Sequence, residues 1–348
     1  MTLHDFIRAM PKVELHVHLE GSVQPETLLK LARRHAIALP ADTVAGVRQW
    51  YTFVDFPHFI DIYLKISACI RTPYDIELIT REFLAGQAAQ NIRYSEVTYT
   101  PYTHYLQKGL AFDQQLAAIN RARAWAEAEL GVSMGLVIDI PRHVSPQEGF
   151  LTAGWAISGM DRGVVAFGIG GQEVGHPPHK FADAFARVHA AGLPCVPHAG
   201  ETVGPESIWD ALHTAHAARL GHGVRCLEDP ALVDLLRERQ IPLEVCPTSN
   251  VCLGVAPSFQ EHPLPRLIEE GLFVTLNSDD PPMFNTTLTD EYRQAAEVFG
   301  LGVEDIERLV INAVRASFLP PEQKTALEAA FAAEFAALRT EYLDYTKA

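Results

Sequence analysis

The sequence predicts an α/β fold, a closed (β/α)8 barrel of the TIM type formed by residues 1–348 as a single domain. Three observations carry that expectation. Eight short apolar runs alternate with helical patterns, which implies parallel pairing and right-handed crossovers. The length of 348 residues suits one barrel with additions. The rival, a doubly wound open sheet, lacks its fingerprint: Phe167-Gly168-Ile169-Gly170-Gly171 has close glycines but no third one at the required offset.

In chain order the expected strands are Lys12–His18, Ile92–Tyr99, Val132–Asp139, Val164–Ile169, Leu193–His198, Arg219–His222, Pro242–Cys246 and Leu272–Asn277. Helical spacing of apolar residues marks Phe181–Ala191, Ile208–Ala217 and Ala231–Arg239 between them. Pro230 stands at a helix start, where its missing N–H costs little. Two regions exceed the basic plan. Residues 22–90 insert several helices after the first strand, and residues 304–347 form a helical tail. Within that tail Ala326–Tyr342 is long, alanine-rich and amphipathic, and is expected to pack on the barrel exterior.

Composition narrows the function. Apolar residues make up 48% and charged residues 20%, ordinary values that exclude disordered, collagen-like and disulfide-scaffold chains. With 28 basic against 43 acidic side chains, the net charge of −15 argues against a nucleic-acid or anionic-membrane partner. It leaves room for a nucleoside or nucleobase, which carries no phosphate. Met1 to Pro11 shows no basic segment followed by an apolar core, and no apolar run approaches the ~18 residues of a membrane span. Cys69, Cys195, Cys226, Cys246 and Cys252 form no CxxC pair and are read as small core hydrophobes of a reducing compartment. The expected location is the cytoplasm.

Barrel enzymes keep their chemistry at the carboxyl ends of the strands. The first strand ends in His16-Val17-His18, whose alternation sends both imidazoles to one side, half of a metal site. The fifth ends in His198-Ala199-Gly200-Glu201, the sixth in Gly221-His222-Gly223 and the eighth in Asn277-Ser278-Asp279-Asp280-Pro281. A third imidazole and a carboxylate from these ends complete a ligand set. Three neutral nitrogens and one carboxylate suit Zn²⁺, although other divalent ions take the same donors. Two-metal hydrolases of this fold often use a lysine on the fourth strand; residues 164–171 contain none, and the nearest downstream is Lys180. One metal is expected.

Taken together, Glu14–Ser22 (ELHVHLEGS), PHAGE at 197–201, GHG at 221–223, CPTSN at 246–250 and NSDDPPMF at 277–284 resemble the adenosine deaminase family of metal-dependent hydrolases. The likeness runs in order from Pro11 to about Tyr292. It implies that His16, His18, His198 and Asp279 hold one zinc. It also implies that Glu201 serves purine N1, His222 the attacking water, Asp280 that water and N7, and Gly171 offers its backbone N–H to N3. Expected substrate contacts are His18, Glu20, Gly171, Asp280, Phe56 and Phe59. The chemistry agrees. Zinc lowers the pKa of water toward ~7, and attack at C6 is eased when N1 gains a proton, a task for Glu201. His222 either takes a proton from the attacking oxygen or holds it. A glycine at 171 lets backbone approach a flat ring. The cysteine-ligand deaminases are different: HxE and PCxxC are absent, and Cys252 follows Cys246 by too many residues, so Cys246 is read as core.

Family members acting on adenosine resemble this chain except at Glu20, where they carry an aspartate that meets the ribose 5′-hydroxyl. Glutamate there points to a 5′-modified nucleoside or a free base. Trp50 and the run Tyr51–Phe59 resemble an apolar lid. With CPTSN and DDPPMF, that lid resembles a bacterial branch that includes 6-aminodeoxyfutalosine deaminases of menaquinone synthesis, whose substrate bears a benzoate. Arg71, Arg142 and His143 are the candidates to meet its carboxylate. The expected reaction is hydrolytic deamination of a small 6-aminopurine nucleoside. The alternatives are free adenine and a cyclic amide opened on the same scaffold. A non-catalytic relative would show a broken ligand set, and every position is intact.

Overall fold

A computed structural model describes residues 2–53 and 55–343. Its strands are β1 Lys12–His18, β2 Ile92–Tyr99, β3 Ser133–Pro141, β4 Val164–Gly170, β5 Cys195–Ala199, β6 Leu220–His222, β7 Leu243–Val245 and β8 Val274–Leu276. Every expected strand is present with its ends within two residues of those read from the sequence. They pair in chain order and always in parallel. β1 and β2 are buried almost throughout, as expected for strands covered on both faces. Pro194 and Pro242 lack an N–H, and β5 and β7 begin just after them.

The barrel closes between its first strand and the segment following its last. The His18 N–H donates to the Asp279 carbonyl at 2.9 Å, and the Asp279 N–H to the His16 carbonyl at 3.1 Å. Lower down, the Asn277 side-chain carbonyl accepts from the backbone N–H groups of Leu15 and His16 at 2.9 and 3.1 Å, replacing ladder bonds. Closure therefore fixes His16, His18 and Asp279 in one register.

Between β1 and β2 the insertion folds into helices Pro25–Arg34, Val44–Tyr51, Phe56–Cys69 and Pro73–Ala89. Phe56–Cys69 starts on Asp55, whose side chain accepts from the His58 N–H, and has proline in its first turn. Thr72 and Asp75 form a capping box on Pro73–Ala89, and Asp75 also meets Arg34 and His35, each at 2.7 Å, tying two helices together. Val54, part of the expected lid run, lies outside the described residues.

The helix expected at Ile208–Ala217 runs instead over Pro205–His213. Proline opens it early, and His216 at φ 50° turns the chain toward β6. The tail consists of Val303–Ala316 and Pro321–Tyr342; residues 344–347, expected to continue it, lie outside the described residues. The second tail helix buries only Phe331 and Phe335, and Phe335 packs on Phe6 of an N-terminal helix, Leu3–Ala9. That short helix is not anticipated by the sequence reading. Four of the cysteines are buried, whereas Cys252 is exposed because it sits at the outer end of a short helix, Pro247–Cys252. Among the described residues no helix is long and apolar enough to cross a membrane.

Candidate active site

His16, His18, His198, Glu201, His222, Asp279 and Asp280 meet at the carboxyl ends of β1, β5, β6 and β8, all buried. His18 Nε2 lies 3.2 Å from His198 Nε2 and 3.3 Å from Asp279 Oδ1. His16 Nε2 stands 3.6 Å from the same Asp279 oxygen. His222 Nε2 faces Glu201 Oε1 at 3.6 Å and Asp279 Oδ2 at 3.8 Å. His222 and Asp279 hold left-handed backbone, with φ of 61° and 65°. Non-glycine residues keep such conformations only where their surroundings impose them, and functional sites are where they gather.

Two glycines of the sequence motifs make this crowding possible. A Cβ at Gly21 would stand 1.5 Å from Asp280 Oδ1, and one at Gly221 would stand 2.9 Å from His16 Cε1.

The donor set fits a divalent metal. His16 Nε2 is buried without a hydrogen-bond partner, while its Nδ1 meets Glu244 Oε2 at 2.8 Å. With Nδ1 committed to Glu244, Nε2 is the nitrogen left to face a metal, the arrangement carboxylates impose on metal-binding histidines. Burial opposes the His16 charge, but Asp279 and Glu244 outweigh it and raise its pKa to about 10, so a metal there would have to displace a proton. Arg219 holds Glu244 at 2.6 Å and Glu96 at 2.5 Å; burial opposes the Glu244 charge, but Arg219 and His16 outweigh it and lower its pKa. Burial also lowers the pKa values of His18 and His222 to about 4, so both rings are neutral. Groups of possible ligand atoms overlap here, His16–His198–His222 and His18–Asp279–Asp280 among them. Cys246 Sγ lies within 4.8 Å of ligand atoms of His16 and Asp279, and burial pushes its thiol well up, as suits a core residue.

Glu201 is buried beside this cluster. Burial raises its pKa to about 8, with Asp279 and Glu173 adding to the shift. Its loop is clamped by Glu173, whose carboxylate accepts from the N–H groups of Gly200, Glu201, Thr202 and Val203 at 2.8 to 3.2 Å. Asp280 is driven upward by burial and by the Asp279 charge; burial also works against ionisation of Asp279, but His16 outweighs it and pulls Asp279 down.

A cavity of about 260 Å³ opens over this cluster, lined by His18, His198, Glu201, His222, Asp279 and Asp280 on its floor. Gly171, Phe56 and Phe59 also border it, and Phe59 stacks on Phe284 with ring centroids 5.6 Å apart. Glu20 departs from expectation. Fully buried, it accepts from His104 Nε2 at 3.0 Å, the Thr100 N–H at 3.1 Å and the Tyr63 hydroxyl at 3.3 Å. Tyr63 and Thr100 line the cavity, and Glu20, bonded to both, is not among its lining residues. Arg142 is buried too, donating to the carbonyls of His176 at 2.5 Å and His198, and Arg71 is exposed away from the wall. Of the three proposed carboxylate partners only His143 borders the cavity.

Several lining or supporting residues escaped the sequence reading. Tyr63 follows Phe59 by one helical turn, so extending the lid pattern would have found it. Asp139 stands near the end of β3, lines the cavity, is raised to about 8 by burial and leaves one carboxyl oxygen unpartnered. Glu173 and Glu244 carry no local signal at all.

Imidazoles and carboxyl groups gathered at the mouth of a closed barrel define a class, the barrel hydrolases that work through a bound divalent metal. Comparison with known proteins gives the particular family. The adenosine deaminase sequence profile matches residues 11–333, and the chain belongs to that family of hydrolytic deaminases. It is 45% identical over 320 residues to an aminodeoxyfutalosine deaminase of Streptomyces coelicolor, covering 91% of this chain and 82% of that one. Adenine deaminase from Arthrobacter aurescens superposes with a TM-score of 0.90 at 34% identity, covering 94% of this chain and 100% of that chain. An amidohydrolase from Burkholderia ambifaria solved with bound Zn gives a TM-score of 0.90 at 26% identity, over 97% and 94% of the two chains.

Proposed function

We propose that this protein removes the C6 amino group of a 6-aminopurine nucleoside by hydrolysis, the substrate being adenosine or a 5′-substituted relative such as 6-aminodeoxyfutalosine. The observation that carries the reading is Glu201: buried, raised to about 8, and placed on the cavity floor beside His222 and Asp280. Similarity to an aminodeoxyfutalosine deaminase supports the choice of substrate class.

His16, His18, His198 and Asp279 would hold one zinc, which supplies activation of a water molecule at neutral pH. Protonated Glu201 donates to N1 as charge builds there, then helps ammonia leave. The Gly171 N–H meets N3, Asp280 meets N7, and His222 keeps the attacking oxygen in place. Phe56, Phe59 and Tyr63 cover the ring and exclude water. The whole chain works as one hydrolase domain in the cytoplasm, on a small molecule rather than on nucleic acid or membrane.

Free adenine is the second reading, favoured by the likeness to the Arthrobacter enzyme. The purified, zinc-loaded protein should be assayed on adenosine, 6-aminodeoxyfutalosine and adenine, following ammonia and the purine absorbance band. One of the nucleosides is expected to be turned over best. Adenine far ahead of both would overturn the nucleoside assignment, and no ammonia from any of the three would overturn the deaminase reading.

A further inference from the structure

Behind His222 runs a line of hydrogen bonds whose direction is set at its far end. The backbone N–H of Leu264 donates to His262 Nδ1 at 3.0 Å. A backbone N–H can only donate, so His262 Nδ1 is a lone pair and the ring proton sits on Nε2. That Nε2 lies 3.1 Å from Asn250 Oδ1, and the Asn250 amide nitrogen lies 3.3 Å from His222 Nδ1. The amide has one workable orientation, because turning it over would set its N–H₂ against the His262 N–H. Nδ1 of His222 must therefore accept, which leaves its proton on Nε2, the nitrogen that faces Glu201 and Asp279. His222, Asn250 and His262 are each at most 4% exposed, so solvent does not stand in for a missing partner.

We propose that Asn250 and His262 are positioning residues that fix His222 as an N–H donor toward the reaction centre. Neither touches the cavity; both act through the tautomer of His222. The consequence, which rests on the deaminase reading above, concerns the two roles open to His222. With its proton on Nε2, it holds the attacking oxygen by donating a hydrogen bond and does not begin the reaction as a proton acceptor. The Asn250 side chain and a histidine from a separate loop thereby gain a chemical task that their burial alone does not reveal.

The test is a long-range proton–nitrogen correlation spectrum of the zinc-loaded holoenzyme labelled with ¹⁵N-histidine, His222 being assigned by comparison with His222→Gln. The expected result is an unprotonated Nδ1 and a protonated Nε2. Asn250→Asp keeps the shape but can only accept, so it should move a proton onto His222 Nδ1. Its turnover should fall by about 10²-fold or more, as wrong-tautomer and lost acid–base variants do, with zinc content unchanged and KM altered far less than kcat. His262→Gln, which restores an N–H toward Asn250, should keep turnover near the parent level, whereas His262→Ala should not. A protonated Nδ1 in the parent enzyme would overturn the proposal, as would an Asn250→Asp variant with unchanged tautomer and rate. Absence of purine deamination with the expected tautomer would sink only the functional reading, since the spectrum reports the relay directly.

Discussion

Glu201 shows how surroundings convert an ordinary carboxylic acid into a proton donor. Its raised pKa of about 8 keeps it protonated at neutral pH, and it takes no part in the expected ligand set. Glu201→Gln should therefore retain zinc by elemental analysis while losing turnover by about 10²-fold or more; a near-normal kcat would refute proton delivery. At the other end of β1, burial lowers Lys12 to about 7 although its ammonium donates to the carbonyls of Met10 and Gln90. The unfolded chain then binds more protons than the folded one between about pH 7 and the ordinary lysine pKa of ~10.4. This residue's contribution to stability should rise with pH across that window. Urea unfolding of Lys12→Met against the parent should show a flatter pH dependence, and an identical slope would contradict the assignment. The site histidines and acids are legible in the sequence because chemically distinctive residues stand at strand ends. Their supports are not: Glu244 meets His16 across 228 positions, and nothing near either residue announces the pair.

At the level of elements, the strands are legible because short apolar runs bounded by Pro and Gly alternate with helical patterns. The insertion is legible only as extra helix. Its geometry depends on contacts such as Asp75, which completes the capping box of Pro73–Ala89 and binds Arg34 and His35 at the end of a helix some forty residues earlier. Asp75→Ala removes the N3 half of the capping box and leaves Arg34 and His35 without their shared partner. We expect a loss of about 3 kcal/mol in chemical unfolding with kcat preserved, since the Phe56–Cys69 helix, not Pro73–Ala89, borders the cavity. A variant as stable as the parent would show that the insertion is held by its apolar packing alone. Misjudged boundaries have local causes: Pro205 opens its helix before the apolar pattern begins, and the Leu3–Ala9 helix has too few residues to show a period. Glu20 was misplaced for another reason. Its partners Tyr63, Thr100 and His104 come from three later segments, so the wall they form exists only in the folded chain.

For the molecule as a whole, closure and chemistry are the same event. The bonds joining His16 and His18 to Asp279 complete the barrel and also gather the histidine–carboxylate cluster, so a metal held there would couple the first strand to the segment after the last. Removing it with a chelator should abolish activity and lower the thermal midpoint, with both restored by zinc. The most direct measurement is anomalous diffraction at the zinc absorption edge from crystals of the zinc-loaded protein. One peak is expected, about 2.0–2.1 Å from nitrogens of His16, His18 and His198 and bonded to the Asp279 carboxylate. A peak elsewhere, a pair of peaks at this cluster, or none would contradict the account.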